Sequence, residues 1–492
     1  MATYLIPAAG RATRLRPITT SCSKAMVPVN GRPTISYILD RISIANEVII
    51  IDGELDDIRR FVMPRYPNVQ FVRQHEQKGD LHAAYQGLLA SKGHGPIVVW
   101  FGDTIIDENF MVNNIDGPLV KSVKDPSLWL MTNGRTFVEK PKTSISDDFV
   151  ACVGVYRFMD RQKFDVACQQ AFEQGQYNMI GALTNYVPES QPYWSCHHVA
   201  RWFDVGNLET YHQTRAEMLK KASREFNELS VDTFYNVLTK RAIKEDHVQK
   251  IADEANWYRS LDAKQRLFAP SLVDTQQGEL TITFEAGIPL NELLIWDDLP
   301  IHTWKTILNK LFDVMHDVFY SYNYIFQEQD EYLHHMWIDK NVKRVQEYAP
   351  DLIPWVEKTG KRLVLNAKWS RIIHGDLHTA NIIYEPFTGQ LKLVDPRGFF
   401  GVSTPSGDVQ YDICKLWEDL YWGFTAKLAH QEVQRSDVST HLRNLTKARG
   451  YDVDLMRDGG LLLLLTAVPF HSDDPEVQER FIETARRVIV DG

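Results

Sequence analysis

From Met1 to about Tyr211, short runs of β-branched and aliphatic residues alternate with stretches of helical period. Tyr4 to Pro7, Val48 to Ile51, Val69 to Val72 and Ile97 to Phe101 predict strands, and Pro33 to Ser43, Asp56 to Met63 and Gly79 to Ser91 predict helices between them. Strands separated by helices form βαβ units, so this part reads as a Rossmann-like α/β domain with a doubly wound, mainly parallel sheet. The pattern changes after Leu208 to Arg224, a surface helix. Phe226 to Ser230, Asn236 to Thr239 and Leu280 to Glu285 predict strands, and most of the remainder is amphipathic helix, as in Trp304 to Tyr320. A small β-rich lobe therefore precedes a large α-rich lobe. The boundary falls near residue 222, giving domains 1–222 and 223–492, with no internal repeat and no low-complexity segment.

Composition narrows the function classes. A chain of 492 residues exceeds what one core supports, and two large domains fit it. Hydrophobic residues at 44% and charged residues at 24% are globular values. A net charge of −10 without a long basic run argues against nucleic acid as a partner. Five scattered cysteines without a C-x-x-C pair read as reduced thiols, neither disulfide frame nor zinc site. The N-terminus lacks the basic and apolar regions of a signal peptide, and the apolar run from Leu461 to Phe470 is too short to span a bilayer and reads as buried core. These features predict a cytoplasmic enzyme acting on small molecules without membrane insertion; whether it forms a homo-oligomer is left open.

The first strand runs into Ala8-Ala9-Gly10-Arg11-Ala12-Thr13-Arg14-Leu15, with Ser23-Lys24 following. A small-residue loop after a strand lets backbone N–H groups approach a triphosphate, and Arg14 and Lys24 supply positive charge. This order resembles the signature of the sugar-phosphate nucleotidyltransferase family, G-G-x-G-T-R-L-x-P-x-T followed by P-K. Ala12 stands in place of a glycine and Ser23 in place of the proline. The resemblance covers the chain to about Tyr211. It implies that Ala9 and Gly10 cradle the nucleotide, that Gln74 reads the base edge, and that Gly79 opens the helix beneath it. By the same resemblance, Asp103 and Asp204, in Phe101-Gly102-Asp103 and Trp202-Phe203-Asp204-Val205-Gly206, hold Mg²⁺, and Lys140 of Glu139-Lys140-Pro141 meets the acceptor's phosphate. The implied reaction is in-line attack of a phosphomonoester oxygen on the α-phosphorus of an NTP, with pyrophosphate leaving.

In the second half, His374-Gly375-Asp376-Leu377-His378-Thr379-Ala380-Asn381 has the H-x-D-x-x-x-x-N spacing of a kinase catalytic loop. In such a loop the aspartate accepts the hydroxyl proton and the asparagine holds Mg²⁺. Asp376 is thus the candidate base, Asn381 a metal ligand, and Asp395, at the end of Leu391 to Val394, the second ligand bridging the phosphates of ATP. The words H-G-D-L-H-x-x-N and D-x-R-G resemble the aminoglycoside phosphotransferase and choline kinase family, which implies a two-lobed α+β, protein-kinase-like domain. On that resemblance Lys240 is the nucleotide-lobe lysine and Glu254 its ion-pair partner, while Asp408 and Asp412 brace the catalytic loop. His374 reads as a scaffold histidine. Trp257, Trp304, Trp337, Trp355, Trp369, Trp417 and Trp422 read as core, with a cation cage for choline as the alternative.

Together the halves predict consecutive steps. ATP phosphorylates a small hydroxyl compound, a neutral sugar or polyol, and the new phosphate then attacks an NTP, CTP by resemblance, to give an activated precursor for bacterial surface polysaccharide. Choline kinase joined to phosphocholine cytidylyltransferase is the alternative, and a half that only senses nucleotide is the second.

Overall fold

The structure is a computed structural model. It describes the chain except residues 11, 17–18, 20–21, 30–31, 108–115, 144, 187–192, 221–226, 233, 286, 297–298, 322–328, 386–387, 401–403, 434 and 490–492, and except the side chains of 216, 219, 220 and 246. Two compact units divide it, Met1–Glu217 and Met218–Gly492. The expected boundary at 222 and the start of the strand read from Phe226 lie outside the described residues.

In the first unit the strands expected from the sequence form one half of a nine-stranded sheet. Thr3–Pro7 lies between Glu47–Asp52 and Ile97–Trp100, parallel to both, and Val69–Arg73 extends the parallel set. The helix Asp80–Ala90 lies on these strands so closely that a Cβ on Gly87 would come within 2.8 Å of Ile51 Cδ1. The expectation of a mainly parallel sheet needs correction, because the other half is antiparallel except where His197–His198 pairs parallel with Gly117–Lys121. Val150–Phe158 runs opposite to Ile97–Trp100, Gly117–Lys121 and Leu130–Thr132, and Phe137–Glu139 returns beside Leu130–Thr132. A parallel return needs a crossover of a dozen or more residues, whereas Leu130–Thr132 and Phe137–Glu139 are joined by a short turn that permits only antiparallel pairing. The sheet is mixed.

The second unit opens with a four-stranded antiparallel sheet in the order Asn227–Asp232, Val237–Ala242, Glu279–Thr283, Leu272–Gln276, against which the helix Val248–Ser260 packs. A hairpin of Ile382–Glu385 and Gln390–Leu393 follows a series of helices. The helix Val409–Leu420 is buried at every position. It meets the helix Val453–Thr466 at Gly459 and Gly460; a Cβ on Gly460 would lie 2.8 Å from Trp417 Cβ, so only glycine allows this approach. Leu461 to Leu465, the apolar run, are buried in that helix. All seven tryptophans considered for a cation cage pack in or against this core. No helix among the described residues is long and apolar enough to cross a membrane.

Candidate active sites

The nucleotide loop of the first unit leaves the sheet at Pro7 and turns back through Ala12, whose φ of 45° is left-handed. A side chain there costs about 1 kcal/mol relative to glycine. The turn is held by the hydroxyl of Thr19, which donates to the carbonyl of Ala12 at 2.7 Å. We expect Ala12→Gly to raise the stability of this unit by about 0.5–1 kcal/mol, the relieved strain exceeding the added unfolded-state entropy; a lower melting temperature would show that the turn is unstrained. Ser23, the second departure from the signature, anchors the following segment differently. Its N–H and its hydroxyl both donate to the Asp57 carboxylate, each at 2.6 Å, which fixes the backbone beside Lys24.

Sheet register explains how two distant aspartates meet. Trp202–Asp204 pairs antiparallel with Thr104–Ile106, Asp204 opposite Thr104, and the N–H of Val205 donates to the carbonyl of Asp103 at 3.0 Å. Asp103 forms an ion pair with Lys24. Burial, and then the charge of Asp103, push the Asp204 carboxyl upward; the Thr210 hydroxyl at 2.7 Å, Lys24, and the Gly206 N–H at 2.8 Å oppose this. A buried carboxylate whose charge is disfavoured by burial and by a neighbouring carboxylate is what a hard divalent cation relieves. Mg²⁺ ordinarily takes one or two carboxylates and completes its shell with water and substrate phosphates, so this pair fits it.

These residues line one cavity of about 540 Å³, together with Ala9, Gly10, Arg14, Gln74, Gly79 and Lys140. All nine residues expected in the first site are therefore brought together. Gln74 is 4% exposed, and its N–H donates to the carbonyl of Asp52 at 2.8 Å. Gly79 is required by space, since a Cβ would collide with the Tyr177 carbonyl. Lys140 adopts a positive φ of 43°, and its half-exposed ammonium lies 3.2 Å from Glu139. The sequence reading missed Gln77, whose amide donates to the carbonyl of Ala9 at 2.6 Å and ties the nucleotide loop to the segment before Gly79. Asp80, the first residue of the helix that Gly79 opens, is pushed up to about 6 chiefly by burial and accepts from the N–H groups of Leu81 and Met179 at 2.8 and 2.7 Å.

In the second unit, Lys240 lies on the strand Val237–Ala242 facing Glu254 on the helix Val248–Ser260, with Nζ 2.7 Å from Oε2. The same ammonium donates to Asp395 at 2.6 Å. Burial disfavours the Lys240 charge, but the two carboxylates outweigh it and hold the ammonium above its ordinary range. Burial pushes Glu254 upward and Lys240 pulls it back. Asp395 has a positive φ of 56°, unusual for a non-glycine residue and seen most at functional positions. Gly398 makes the meeting possible, because a Cβ there would run into the backbone of Asp253, next to Glu254. We expect Gly398→Ala to lift the Asp395 loop from that helix and to cost about 2 kcal/mol, lowering the calorimetric melting temperature by ~5 °C; an unchanged melt would show that the contact is dispensable.

The catalytic-loop candidates converge on the same place. The hairpin register sets Ile382 opposite Leu393, and the N–H of Val394 donates to the carbonyl of Asn381 at 3.0 Å, bringing Asn381 beside Asp395. The amide of Asn381 donates to the carbonyl of Asp376 at 2.9 Å, leaving its own carbonyl oxygen for a hard cation shared with Asp395; that donor set fits Mg²⁺. Burial would raise the Asp376 carboxyl, but Lys415 at 3.1 Å and His378 at 3.6 Å hold it well below the usual range. His374 is fully buried, and burial pushes it down to about 4, so it is neutral, with Nε2 3.0 Å from the Val394 carbonyl. Asp412 accepts from the N–H groups of His374 and Gly375 at 2.9 and 2.7 Å and thereby fixes the loop. Asp408 instead accepts from Trp337 Nε1 and the Lys368 N–H, both at 2.9 Å.

Lys415 and Asp419 escaped the sequence reading. The N–H of Thr379 donates to Asp419 at 2.9 Å. Both residues continue the Asp412 face of the helix Val409–Leu420 at the three- and seven-residue spacings that helical period dictates, and that was the available signal.

Comparison with known proteins bears on the first unit. The chain is 24% identical over 217 residues to the "Bifunctional protein GlmU" of Methanococcus maripaludis, covering 41% of this chain and 51% of that protein. It is 30% identical over 151 residues to the "UTP--glucose-1-phosphate uridylyltransferase" of Staphylococcus epidermidis, covering 25% of this chain and 49% of that one. The chain thus spans about half the length of the curated relatives it matches. Among solved structures, a UDP-glucose pyrophosphorylase complexed with UDP-glucose aligns with a TM-score of 0.38 at 20% identity, over 45% of this chain and 99% of the other. Residues 4–113 match the model of the MobA-like NTP transferase domain.

Proposed function

We propose that the chain is a bifunctional enzyme in which residues 1–222 transfer a nucleotidyl group to a phosphomonoester and residues 223–492 phosphorylate a small hydroxyl compound with ATP. The observation that carries the first activity is the single cavity holding Arg14, Lys24, Gln74, Lys140 and the Asp103/Asp204 pair. The match to an NTP transferase domain and the uridylyltransferase relative support it. In this reading Arg14 and Lys24 bind the triphosphate and neutralise charge as pyrophosphate leaves. Lys140 holds the acceptor's phosphate, whose oxygen forms the new bond to the α-phosphorus, and Gln74 bonds the base edge. Asp103 and Asp204 would hold Mg²⁺, which supplies further neutralisation of the phosphates when bound. The attacking phosphate is already an anion, so no base is needed.

For the second activity, Asp376 accepts the hydrogen of the acceptor hydroxyl, whose oxygen bonds to the γ-phosphorus of ATP as ADP leaves. Lys240, fixed by Glu254, steadies the ATP phosphates, and Asn381 and Asp395 would hold Mg²⁺. The phosphate made by the second unit is the group that the first consumes. We propose CTP as the NTP, a sugar or polyol as the acceptor, the cytoplasm as the location, and surface polysaccharide assembly as the use of the product. Incubation with ATP, CTP, UTP and GTP and a panel of sugars, polyols, choline and their monophosphates, read by mass, tests this. Nucleotide-linked products from CTP are expected, and a clear preference for UTP or GTP, or faster turnover of choline than of polyols, would contradict these assignments.

A further inference from the structure

Beside the candidate base of the second unit stand three cations that have no ion-pair partner among the described residues. Lys340 begins the helix Lys340–Tyr348, and its ammonium lies 5.0 Å from the ring centre of Phe400, 4.6 Å from that of Tyr411, and 3.4 Å from the Tyr411 hydroxyl. Arg397 lies 4.7 Å from the same Phe400 ring and donates Nε–H to the carbonyl of Phe399 at 2.9 Å. Arg344, one turn along from Lys340, lies 4.6 Å from the ring centre of Phe470. Among the described residues none of these three has a carboxylate within ion-pair distance, whereas nearby Lys415 has two, Asp376 at 3.1 Å and Glu418 at 2.8 Å. Phe400 joins the group to the catalytic loop. A Cβ on Gly375, the residue before Asp376, would come within 2.8 Å of that ring and within 3.0 Å of the Arg397 carbonyl.

Half-buried cations gathered around aromatic faces repel one another, and cation–π contacts do not offset the lost hydration and the repulsion. Burial, then Arg397, Arg344 and Lys415, hold the Lys340 ammonium well below its ordinary range, and Asp376 opposes them. Burial, with Arg397, also lowers Arg344, against the opposing pull of Tyr411. An anion placed among the three would remove that cost. All three remain partly open to solvent, so a ligand can reach them.

We infer that Lys340, Arg344 and Arg397 form an anion-binding subsite for the acceptor, so that the hydroxyl compound phosphorylated at Asp376 carries a carboxylate or phosphate of its own. This replaces the neutral acceptor suggested by the sequence and rests on the kinase reading of the second unit. The test uses the full chain and matched pairs, glucose with glucuronate, and glycerol with glycerate and with glycerol 3-phosphate. Binding is measured by calorimetry and phosphate transfer by ADP release. An acidic member is expected to bind at least ten-fold more tightly than its neutral counterpart, and the glycerate and glycerol 3-phosphate arms separate carboxylate from phosphate. Lys340→Gln should weaken that acid by about ten-fold, raising its KM with little change in kcat or in ATP affinity, while Lys340→Arg should restore it. The inference is overturned if no acid in the panel binds, if neutral members bind as tightly, or if Lys340→Gln and Arg344→Gln impair ATP and not the acid. Acid binding without transfer would support the subsite and refute the kinase reading; transfer to neutral members alone would do the reverse.

Discussion

Asp376→Asn is expected to abolish ATP-dependent phosphorylation, by about 10³-fold or more, while nucleotidyl transfer to a supplied phosphomonoester continues at the wild-type rate. Asparagine keeps the shape of the side chain but cannot accept the hydroxyl proton, and general-base assistance is worth roughly 10²–10⁴. The loop should stay in place, because it is held by Asp412 through the N–H groups of His374 and Gly375 and by Asp419 through Thr379. Lys415 keeps Glu418 as a partner at 2.8 Å, so the loss of one carboxylate leaves no unpaired buried ammonium. ADP release and pyrophosphate release, measured on the same preparation with its melting temperature as the folding control, check the prediction. Phosphorylation within ten-fold of wild type would remove Asp376 from the base role.

Asp103→Ala should do the opposite. It removes one of the two carboxylates facing each other across the Trp202–Asp204 and Thr104–Ile106 pairing and frees Lys24 from its ion pair. Metal-assisted charge neutralisation supplies several kcal/mol to phosphoryl chemistry, so nucleotidyl transfer should fall by about 10³-fold or more. Phosphorylation of the hydroxyl acceptor should persist, because the residues assigned to it lie in Met218–Gly492. Excess chelator should stop both reactions in the wild type, and added Mg²⁺ should restore them. Transfer by Asp103→Ala at a rate close to wild type would show that Asp204 and Lys24 suffice without it.

The parallel strands Thr3–Pro7, Glu47–Asp52, Val69–Arg73 and Ile97–Trp100 were legible because each is a short run rich in β-branched and other apolar residues set off by a helix. The antiparallel pairing of the other half was not. Leu130–Thr132 and Phe137–Glu139 have three residues each, too few for an alternating pattern to stand out. Asp103 and Asp204 were found as words in a signature, but their meeting is a consequence of strand pairing that local pattern does not contain. Lys240 and Glu254 were named from the family resemblance, and the second carboxylate that Lys240 holds, Asp395, comes from 155 positions along the chain. Arg397 stands in the D-x-R-G word, but Lys340, which shares its aromatic ring from a distant segment, has nothing in its neighbourhood to mark it. What stayed hidden is what long-range packing creates.

Two successive transfers by one chain are tested by giving the full chain ATP, CTP and an unphosphorylated acceptor together and following ADP, pyrophosphate and the nucleotide-linked product over time. For at least one acceptor the product is expected to form with ADP and pyrophosphate in equal amounts, and omitting ATP should stop pyrophosphate release until the acceptor's phosphate is supplied. Pyrophosphate release from supplied phosphomonoesters with no ADP formed from any hydroxyl compound, acidic or neutral, would contradict it.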